Sequence, residues 1–367
     1  MKYKLLFVVS NLRRTGPVNQ LLYILSNLDE EKYNVKVLTL SDEPSDTRIF
    51  DYKENNIEVI SLSLSRIKGI FSAKQKLMSY IQSYNPDIIQ SQGIRADSLI
   101  SKLPNNTPWI STARNYPYED YPSKFGFIKG YLMAIKHINI LTKCHHLVSC
   151  SQSIANKLSN IGINSQVIRN GVNVKSIKKN IPIKSSTIKL ISVGSLIPRK
   201  NMKYLINLSN ELNNLGIDFE LIILGEGPLL KELQEISCNK VKFLGMVNNV
   251  NDYLIASDIF ISSSLSEGLP NTVLEALACG LPVVLSDISS HRELTSQLPS
   301  KYSLLFSLDT NEFDFAREFN KNIPSLLHIE NESISKDTAL NFGANTMALN
   351  YQKLYERILE CQKTSIQ

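Results

Sequence analysis

The sequence has few of the residues on which disulfide scaffolds and metal centres depend. Its five cysteines and five histidines are scattered over 367 residues without metal-site spacing, so we interpret the histidines as structural and predict no metal. Scattered, odd-numbered cysteines indicate reduced thiols in a cytoplasmic protein. No apolar run approaches the roughly 20 residues needed to span a bilayer. Gly-x-Ser-x-Gly and phosphate-loop Gly-Lys-Ser/Thr patterns are also missing, so hydrolase and NTPase functions lack support.

The first residues and the distribution of charge set two further expectations. MKYKLLFVVSNLRR has an apolar stretch too short for a signal peptide and no small-residue cleavage site, so it predicts a buried first strand. Residues 1–175 hold 22 Lys and Arg against 13 Asp and Glu, whereas the remainder holds 18 against 21. The basic first half indicates an anionic surface or substrate, or simply a solvated lysine-rich surface.

Short, largely apolar runs alternate with helical patterns along a chain that has the length of two domains. Runs such as KLLFVV, HLVSC, IKLISVG and PVVLS suit parallel strands covered on both faces. The pattern predicts an α/β protein with two doubly wound units. We place one domain at 1–175, a second at 188–340 and a C-terminal helical segment at 341–367, with the polar stretch 175–187 as the seam.

Two loops in the second half carry residues suited to phosphate. VGSLIPRKN follows a strand and precedes a helix, so Arg199 and Lys200 lie beyond the end of a strand, where doubly wound sheets bind ligands. A guanidinium fork and an ammonium together suit a diphosphate, although two surface cations at a turn are the other interpretation. LGEGPLL adds Gly225 and Gly227, which allow close backbone approach but also occur in many tight turns.

The segment SEGLPNTVLEALACG contains two carboxylates whose placement favours a ligand. A loop from Glu267 leads into a helix that starts near Pro270 and ends before Gly280. Apart from Glu275 this helix is apolar on every side, which predicts burial, and a buried carboxylate needs hydrogen donors. Two carboxylates flanking an anion site at the helix N-terminus fit a nucleotide-sugar. The alternative is a capping Glu267 and a Glu275 paired with a remote base.

Taken together, these motifs resemble a known family. Glu267 and Glu275 with seven residues between them, the embedded EGLPN, the upstream GSLIPRKN and GEGPL, and the intervening FLGMV form the pattern. It is similar to that of the retaining family-four glycosyltransferases of the GT-B fold, or glycosyl transferases group 1. SNLRRTGPVNQLLYIL, CSQSIANKL and NGVN extend the resemblance over nearly the whole chain. It implies two Rossmann-like domains facing across a cleft, with the C-terminal helix packing back on the first. It also implies retaining, metal-independent sugar transfer from a nucleotide-diphosphate sugar, most simply a UDP-sugar, without any other cofactor.

The resemblance assigns roles residue by residue. Arg199 and Lys200 would bind the donor diphosphate and stabilise it as a leaving group, and Glu267 would hold the transferred sugar and distal phosphate. Glu275 would hold the ribose, and the backbone near Gly225 and Val247 would contact the base. The full set assigned to donor binding is Gly16, Gly194, Gly225, Val247, Gly268, Leu269, Pro270, Asn271, Thr272 and Glu275. Those assigned to the acceptor or sugar side are Gln92, Arg95, Arg114 and Asn170.

Two positions depart from the family pattern. Gly16 is followed by Pro17 where many members have two glycines, and Gln92 stands where a histidine is common near the reacting sugar. An amide can hydrogen-bond a sugar hydroxyl but cannot take a proton at neutral pH, so we assign no enzymic base there. We expect Gln92 to orient the sugar while leaving-group stabilisation lowers the barrier. A histidine that is essential for the chemistry would put the activity of this chain in doubt, whereas Gln92 can substitute for one that only orients the sugar.

Residues 112–144 combine aromatic side chains with cations. Aromatic residues among cations suit a membrane interface or a sugar-bearing anionic acceptor, whereas a loop and helix packed on the sheet is the alternative. Our hypothesis is contact with a lipid-linked or surface-polymer acceptor at the inner face of the plasma membrane. The residues concerned are Tyr116, Tyr118, Tyr121, Phe125, Phe127 and Tyr131, with Arg114, Lys124, Lys129, Lys136 and Lys143.

The sequence leaves three functions open. The leading one is a hexosyl- or N-acetylhexosaminyltransferase of bacterial capsule or other cell-envelope polysaccharide biosynthesis, a setting implied by the resemblance alone. A nucleotide-sugar epimerase needs acid and base groups around the sugar, and few candidates are present. A catalytically inactive binding or scaffold subunit agrees with Gln92 but not with the intact cations and glutamates. The expected partners are a nucleotide-sugar and a glycan or lipid-linked acceptor, and no nucleic acid.

Overall fold

A computed structural model describes residues 2–64, 69–104, 106–174 and 187–364. The chain divides into two compact units: unit 1 comprises Met1–Gly171 with Ala344–Gln367, and unit 2 comprises Val172–Gly343. Residues 175–186 of the predicted seam lie outside the described residues. Within the described ranges, none of the helices has both the length and the apolar character that a membrane span requires.

Seven parallel strands form the sheet of unit 1. They are β1 (Tyr3–Val9), β2 (Tyr33–Thr39), β3 (Glu58–Ser61), β4 (Ile88–Ser91), β5 (Trp109–Ala113), β6 (His146–Ser149) and β7 (Gln166–Val167). Their order is β3-β2-β1-β4-β5-β6-β7, and Leu5 of β1 pairs with Val35 on one side and Ile88 on the other. Because the strand order reverses between β1 and β4, a ligand site is expected at the carboxyl edge there.

Seven helices of unit 1 connect these strands. They are α1 (Gly16–Leu25), α2 (Ile49–Glu54), α3 (Gly69–Tyr84), α4 (Ile94–Ile100), α5 (Pro117–Phe125), α6 (Phe127–Leu141) and α7 (Gln152–Ser159). Helices α5 and α6 form a close pair in which Gly130 lies against the backbone of α5. A Cβ at this position would come within 2.4 Å of the carbonyl oxygen of Tyr121, so only glycine permits this packing.

Six parallel strands form the sheet of unit 2. They are β8 (Ile188–Val193), β9 (Phe219–Leu224), β10 (Val241–Gly245), β11 (Ile259–Ser262), β12 (Val283–Ser286) and β13 (Ser303–Phe306), in the order β10-β9-β8-β11-β12-β13. The order reverses between β8 and β11, which pair through Ile191 and Phe260. The carboxyl ends of β8 and β11 therefore mark the expected ligand site of this unit.

The helices of unit 2 include the apolar helix that the sequence predicts after Pro270. They are α8 (Met202–Asn214), α9 (Leu230–Ile236), α10 (Val250–Ile255), α11 (Asn271–Ala278), α12 (Ser289–Thr295), α13 (Glu312–Leu327) and α14 (Asn331–Phe342), with 3-10 turns at Pro198–Lys200 and Ser300–Tyr302. In α11, Val273, Leu274 and Leu277 are fully buried. Burial of this face fixes the helix N-terminus beside the carboxyl end of β11.

The last helix, α15 (Ala344–Thr364), belongs to the core of unit 1. Its residues Met347, Tyr351 and Tyr355 are buried in one cluster with Leu5 and Phe7 of β1. The Tyr355 hydroxyl donates a hydrogen bond of 2.6 Å to Gln90 Oε1 in β4. Strand β4 is therefore stabilised by a side chain more than 260 positions later in the chain.

Tyr355→Phe is expected to destabilise the protein by about 1–3 kcal/mol, because Gln90 Oε1 loses its donor in a buried site. The control is Tyr33→Phe. The Tyr33 hydroxyl is also buried but has no hydrogen-bond partner among the described residues, so its removal is expected to be neutral or slightly stabilising. Urea unfolding measures both variants. Equal changes in stability in the two variants would contradict a stabilising role for the hydrogen bond from Tyr355 to Gln90.

Candidate functional site

Three charged side chains meet at the carboxyl edge between β8 and β11. Glu267 Oε2 lies 2.9 Å from Arg199 Nη1, and Glu267 Oε1 lies 2.5 Å from Lys200 Nζ. All three side chains are largely buried, with 8–14% of their surface exposed. The sequence predicts these residues at one site, but it does not predict that Glu267 binds both cations directly.

Backbone contacts between two loops bring the cluster together. Arg199 and Lys200 lie in the 3-10 turn that follows β8, and the turn ends at Asn201, whose left-handed conformation (φ 48°) an asparagine tolerates. The Leu265 N–H donates to Arg199 O at 2.8 Å, and Ser263 Oγ donates to Asn201 O at 2.7 Å. The turn after β8 and the loop after β11 are therefore fixed to each other before any ligand binds.

The cluster keeps its carboxylate ionised and retains positive charge. Burial alone would raise the pKa of the Glu267 carboxyl, but the charges of Lys200 and Arg199 outweigh it and lower the pKa to about 2. Two cations and one carboxylate leave a net charge of +1 in a shielded site. The Arg199 Nε–H is buried and has no hydrogen-bond partner among the described residues. These features suit an anionic ligand, since unmet donors and net positive charge both favour one.

Glycines let the neighbouring loops approach at backbone distance, as the sequence predicts. A Cβ on Gly225 (φ 137°) would lie 2.0 Å from the carbonyl oxygen of Gly194, and one on Gly227 would lie 2.3 Å from that of Leu196. A Cβ on Gly194 would lie 3.2 Å from Lys200 Cε. Gly194 therefore provides the space in which the Lys200 side chain lies.

The loop before α11 is buried, but the helix itself is less buried at Glu275 than the sequence predicts. Gly268, Leu269 and Pro270 are buried, and the helix begins at Asn271 with Pro270 as its N-cap. Glu275 is only half-buried, so the expectation of a fully buried carboxylate is wrong. The physical reason is that α11 buries one broad face and leaves the opposite side, where Glu275 lies, partly open to solvent.

The remaining donor-side residues lie on three different elements. Thr272 is half-buried in the first turn of α11, and Val247 is half-buried in the loop that follows β10. Gly16 begins α1 of unit 1. Asn271, Thr272 and Val247 thus follow strand ends of unit 2, as ligand-binding residues of a doubly wound sheet do.

His291 is a candidate site residue that the sequence analysis interpreted as structural. It is fully buried, and burial lowers its pKa to about 4, so the ring is neutral at physiological pH. Nδ1 lies 2.7 Å from the carbonyl oxygen of Ser286 and donates to it, which leaves Nε2 as an acceptor. That atom is buried without a partner among the described residues, and the ring interacts electrostatically with Glu267 and Lys200. No spacing motif marks such a residue in the sequence.

Three of the four predicted acceptor-side residues meet at the carboxyl edge of unit 1. Arg114 donates to Asn170 Oδ1 through Nη1 (2.7 Å) and to Gln92 Oε1 through Nε (3.4 Å), while Gln92 Nε2 donates to the carbonyl oxygen of Pro17 (3.3 Å). Arg95 bonds to Ser41 Oγ and lies apart from this trio. Gln92, Arg95, Arg114 and Pro17 line a cavity of about 390 Å³ beside β1 and β4.

The same cavity is lined by residues that the sequence analysis did not assign to a site. Asp120, Tyr121 and Lys124 of α5 and His137 of α6 lie on its wall. Tyr121 and His137 are 2.7 Å apart, and His137 Nε2 lies 2.8 Å from Asp97 Oδ2. Their sequence positions fall in the aromatic segment 112–144, whose composition obscured these polar contacts.

A larger cavity lies at the opposite edge of the unit 1 sheet. It measures about 840 Å³ and is lined by residues that precede or begin strands, including Pro108, His145 and His146, and by Leu354 and Ile358 of α15. Doubly wound sheets bind ligands at the carboxyl ends of their strands, and this cavity is at the amino ends. Its lining is also mainly apolar without converging charges, so size alone does not make it the functional site.

Helix α6 presents an apolar surface to solvent. Its inward face carries Gly130, Ala134 and His137, which are buried, while the outward face carries large side chains. Ile128 is 78% and Leu132 62% exposed. We call this surface the α5–α6 patch, and it consists of Phe125, Phe127, Ile128, Tyr131, Leu132 and Ile135.

Two parallel, doubly wound sheets in two compact units, with a buried cationic cluster at the switch point of the second, define a class of two-domain α/β proteins. Two family models match the chain, glycosyl transferases group 1 over residues 187–321 and glycosyltransferase family 4 over residues 14–176. The chain belongs to the group 1 glycosyltransferases of the GT-B fold.

Relatives and a solved structure agree with this assignment. The uncharacterized glycosyltransferase MJ1059 of Methanocaldococcus jannaschii is 28% identical, and the match covers 59% of this chain and 60% of that protein. The O-antigen biosynthesis glycosyltransferase WclY of Escherichia coli is 24% identical over 97% of this chain and 98% of its own length. The N,N'-diacetylbacillosaminyl-diphospho-undecaprenol alpha-1,3-N-acetylgalactosaminyltransferase of Campylobacter jejuni is 24% identical over 92% and 94%. Anabaena HepE, in complex with UDP and glucose, shares the fold with a TM-score of 0.75, at 16% identity over 97% of this chain and 100% of that one.

Glu267→Gln is expected to destabilise unit 2 by about 3 kcal/mol at pH 7, because two cations lose their counter-charge in a buried site. The folded-state pKa of about 2 lies below the ordinary value of 4.5. The charged carboxyl therefore stabilises the fold above pH 4.5, and this contribution is lost as the pH falls towards 2. Urea unfolding of wild type and variant at pH 7, 5 and 3 measures the difference.

The matched control is Glu232→Gln, which breaks an exposed ion pair with Lys203. Its expected cost is below about 1 kcal/mol at every pH, since exposed pairs contribute little. A Glu267→Gln effect that stays constant between pH 7 and 3 would contradict the assigned pKa and its cause.

Proposed function

We propose that the protein transfers a sugar from a UDP-sugar to a lipid-linked or surface-polysaccharide acceptor, with retention of anomeric configuration and without a metal ion. The observation that carries the proposal is the buried cluster of Arg199, Lys200 and Glu267 beyond the carboxyl ends of β8 and β11. A hexosyl or N-acetylhexosaminyl group is the transferred unit, and cell-envelope polysaccharide biosynthesis is the setting.

The donor diphosphate is proposed to bind the cationic cluster. Net positive charge and the N-terminus of α11 would together stabilise the charge that develops on the leaving diphosphate. A metal ion supplies the same stabilisation in other enzymes, and here two held cations take its place. Glu275 on α11 is proposed to accept hydrogen bonds from the ribose, for which its half-buried position leaves access.

Glu267 has two proposed tasks. Oε1 accepts from Lys200 and from Ser264 Oγ (2.8 Å), whereas Oε2 accepts from Arg199 alone among the described residues. A carboxylate oxygen can accept two hydrogen bonds, so Oε2 retains capacity for a hydroxyl of the transferred sugar. The single carboxylate of Glu267 would thereby orient both the two cations and the transferred sugar.

The proposed transfer needs no protein base. The bond between the anomeric carbon and the donor phosphate oxygen breaks, and a bond from the acceptor oxygen to the same face of that carbon forms. The proton of the acceptor hydroxyl passes to the leaving diphosphate, which departs as UDP. Gln92 cannot take that proton, but it can position a sugar hydroxyl. Its contacts with Arg114 and Pro17 fix its amide for this task.

The acceptor is proposed to be lipid-linked and to be met at a membrane surface. The name of the Campylobacter jejuni relative describes transfer to an undecaprenol diphosphate-linked sugar, and that of the Escherichia coli relative describes O-antigen biosynthesis. The α5–α6 patch supports membrane contact, because six large apolar side chains are exposed within 11 successive positions. Lys124, Lys129 and Lys136 are exposed beside it and complement an anionic lipid surface.

UDP is proposed as the nucleotide, with support from HepE, whose solved structure contains UDP and glucose. The inactive-subunit alternative rests on Gln92 alone and predicts nucleotide binding without turnover. An active transferase releases UDP from a UDP-sugar in the presence of acceptor, whereas an inactive subunit does not. The epimerase alternative predicts a changed sugar that is still attached to UDP.

UDP is expected to raise the unfolding temperature, whereas GDP and ADP are expected to have little effect. At 100 times its dissociation constant a ligand adds about 2.7 kcal/mol of stability. Lys200→Met and Glu275→Ala are expected to abolish the shift. Lys203→Met removes an exposed lysine of α8 outside the cluster and should leave the shift intact. A UDP shift that survives in Lys200→Met would contradict diphosphate binding at this cluster.

The double variant Ile128→Ser/Leu132→Ser is expected to bind vesicles containing anionic lipid at least tenfold more weakly than wild type, since it removes two exposed apolar anchors. Leu340→Ser is the matched control, because Leu340 is 75% exposed on α14 of unit 2. Flotation with neutral and anionic vesicles measures binding. Wild-type protein that stays unbound to both would refute membrane contact through the α5–α6 patch.

A further inference from the structure

Two polar groups on the wall of the 390 Å³ cavity in unit 1 have unmet hydrogen-bonding capacity. Asp120 is 7% exposed, and its Oδ1 is buried without a hydrogen-bond partner among the described residues. Arg114 Nη2 is likewise buried without a partner, although Nε and Nη1 bond to Gln92 and Asn170. Buried groups of this kind are rare because each costs free energy, and a ligand that satisfies them recovers it.

Asp120 and Arg114 would bind different functional groups of one ligand. A carboxylate oxygen such as Asp120 Oδ1 only accepts hydrogen bonds, so it needs a hydroxyl or N–H donor. The Arg114 guanidinium only donates and prefers an anionic oxygen. Arg13, Arg95 and Lys124 also line the cavity, so the positive charge on its wall exceeds the negative. A molecule that carries both hydroxyls and a phosphate matches this arrangement.

A buried hydrogen-bond network anchors helix α5, which carries Asp120, through the neighbouring residue Tyr121. Burial raises the pKa of the Tyr121 phenol, so its hydroxyl stays protonated and donates to His137 Nδ1 at 2.7 Å. The other ring nitrogen, Nε2, then donates to Asp97 Oδ2 at 2.8 Å. Asp97 Oδ1 also accepts from Ser91 Oγ at 2.6 Å. This chain ties α5 to α6, α4 and β4, and a preorganised site binds with a smaller entropic cost.

We propose that Asp120 and Arg114 form an acceptor subsite for a glycosyl phosphate, with Asp120 accepting from a sugar hydroxyl and Arg114 binding a phosphate oxygen. The proposal rests on the proposed function and makes Asp120 the residue that selects the acceptor sugar. A volume of 390 Å³ lies within the range of about 300–1,000 Å³ for small-molecule sites. The α5–α6 patch lies on the same helix pair, so a lipid tail attached to the phosphate would have an apolar surface nearby.

The test measures binding to the full chain, without donor or turnover. N-acetylglucosamine 1-phosphate, glucose 1-phosphate, inorganic phosphate and glucose are titrated separately by ligand-observed NMR. Wild type is expected to bind one of the two sugar phosphates at least tenfold more tightly than inorganic phosphate or glucose. Asp120→Leu is expected to abolish that tenfold preference and leave binding of inorganic phosphate unchanged or tighter. Arg114→Met is expected to weaken the binding of the sugar phosphate and of inorganic phosphate by similar factors.

The control for Asp120→Leu is Lys124→Met, because Lys124 Nζ pairs with Asp120 Oδ2 at 2.8 Å. Both variants break this ion pair, but only Asp120→Leu removes the carboxylate. Equal loss of the preference for a sugar phosphate over inorganic phosphate in the two variants would overturn the proposal and assign Asp120 to holding α5. A wild type that binds the sugar phosphates no better than inorganic phosphate would overturn it too, with the unmet atoms then assigned to buried water.

The UDP thermal shift separates failure of this proposal from failure of the proposed function. Asp120→Leu is expected to keep the UDP shift of wild type, which also shows that the variant is folded. A normal UDP shift with no sugar-phosphate preference refutes the subsite and leaves the donor site standing. A preference for a sugar phosphate without any UDP shift in wild type refutes the nucleotide-dependent function and leaves a sugar-phosphate site in unit 1.

Discussion

The reversal of strand order beside the first strand of each sheet determines where chemistry is possible. On one side of β1, and likewise of β8, the connecting helices cover one face of the sheet, and on the other side they cover the opposite face. Loops that leave the carboxyl ends at this point diverge and leave space between them. In unit 2 that space holds Arg199, Lys200 and Glu267, and in unit 1 it holds Gln92 and Arg114.

Charge in that space is balanced in the two units by different means. In unit 2 a carboxylate lies in direct contact with both cations, and the resulting cluster is nearly closed to solvent. In unit 1 the cations are distributed around an open cavity, where amides and a backbone carbonyl hold Arg114 and Arg95 in place and Lys124 pairs with Asp120. The buried cluster of unit 2 concentrates charge at one point, whereas the cavity of unit 1 places a few charged groups around a space large enough for a small molecule.

Local patterns in the sequence identify most strands and the motif loops, because these depend on residues within about ten positions. β7 has only two residues and no apolar run to signal it. The contact between Arg199 and Glu267 spans 68 positions, and no pattern in either segment encodes it. No local pattern marks Asp120 or His291 as site residues, since each is distinguished by a side-chain atom that has no hydrogen-bond partner among the described residues after packing. Glu275 is less buried than the sequence predicts, because composition shows how apolar a helix is but not which of its sides are covered.

The C-terminal helix gives the chain an unusual order of assembly. Unit 1 is synthesised first, yet Met347, Tyr351 and Tyr355 of α15 fill the space against β1 and β4. Until residues 344–364 leave the ribosome, the part of the unit 1 sheet that α15 covers in the folded protein is exposed to solvent. Unit 2 has all its strands by then and can fold earlier. The half that is translated first therefore cannot complete its core until the last helix has been made, and until then it exposes apolar surface of the kind that makes partly folded chains prone to aggregation.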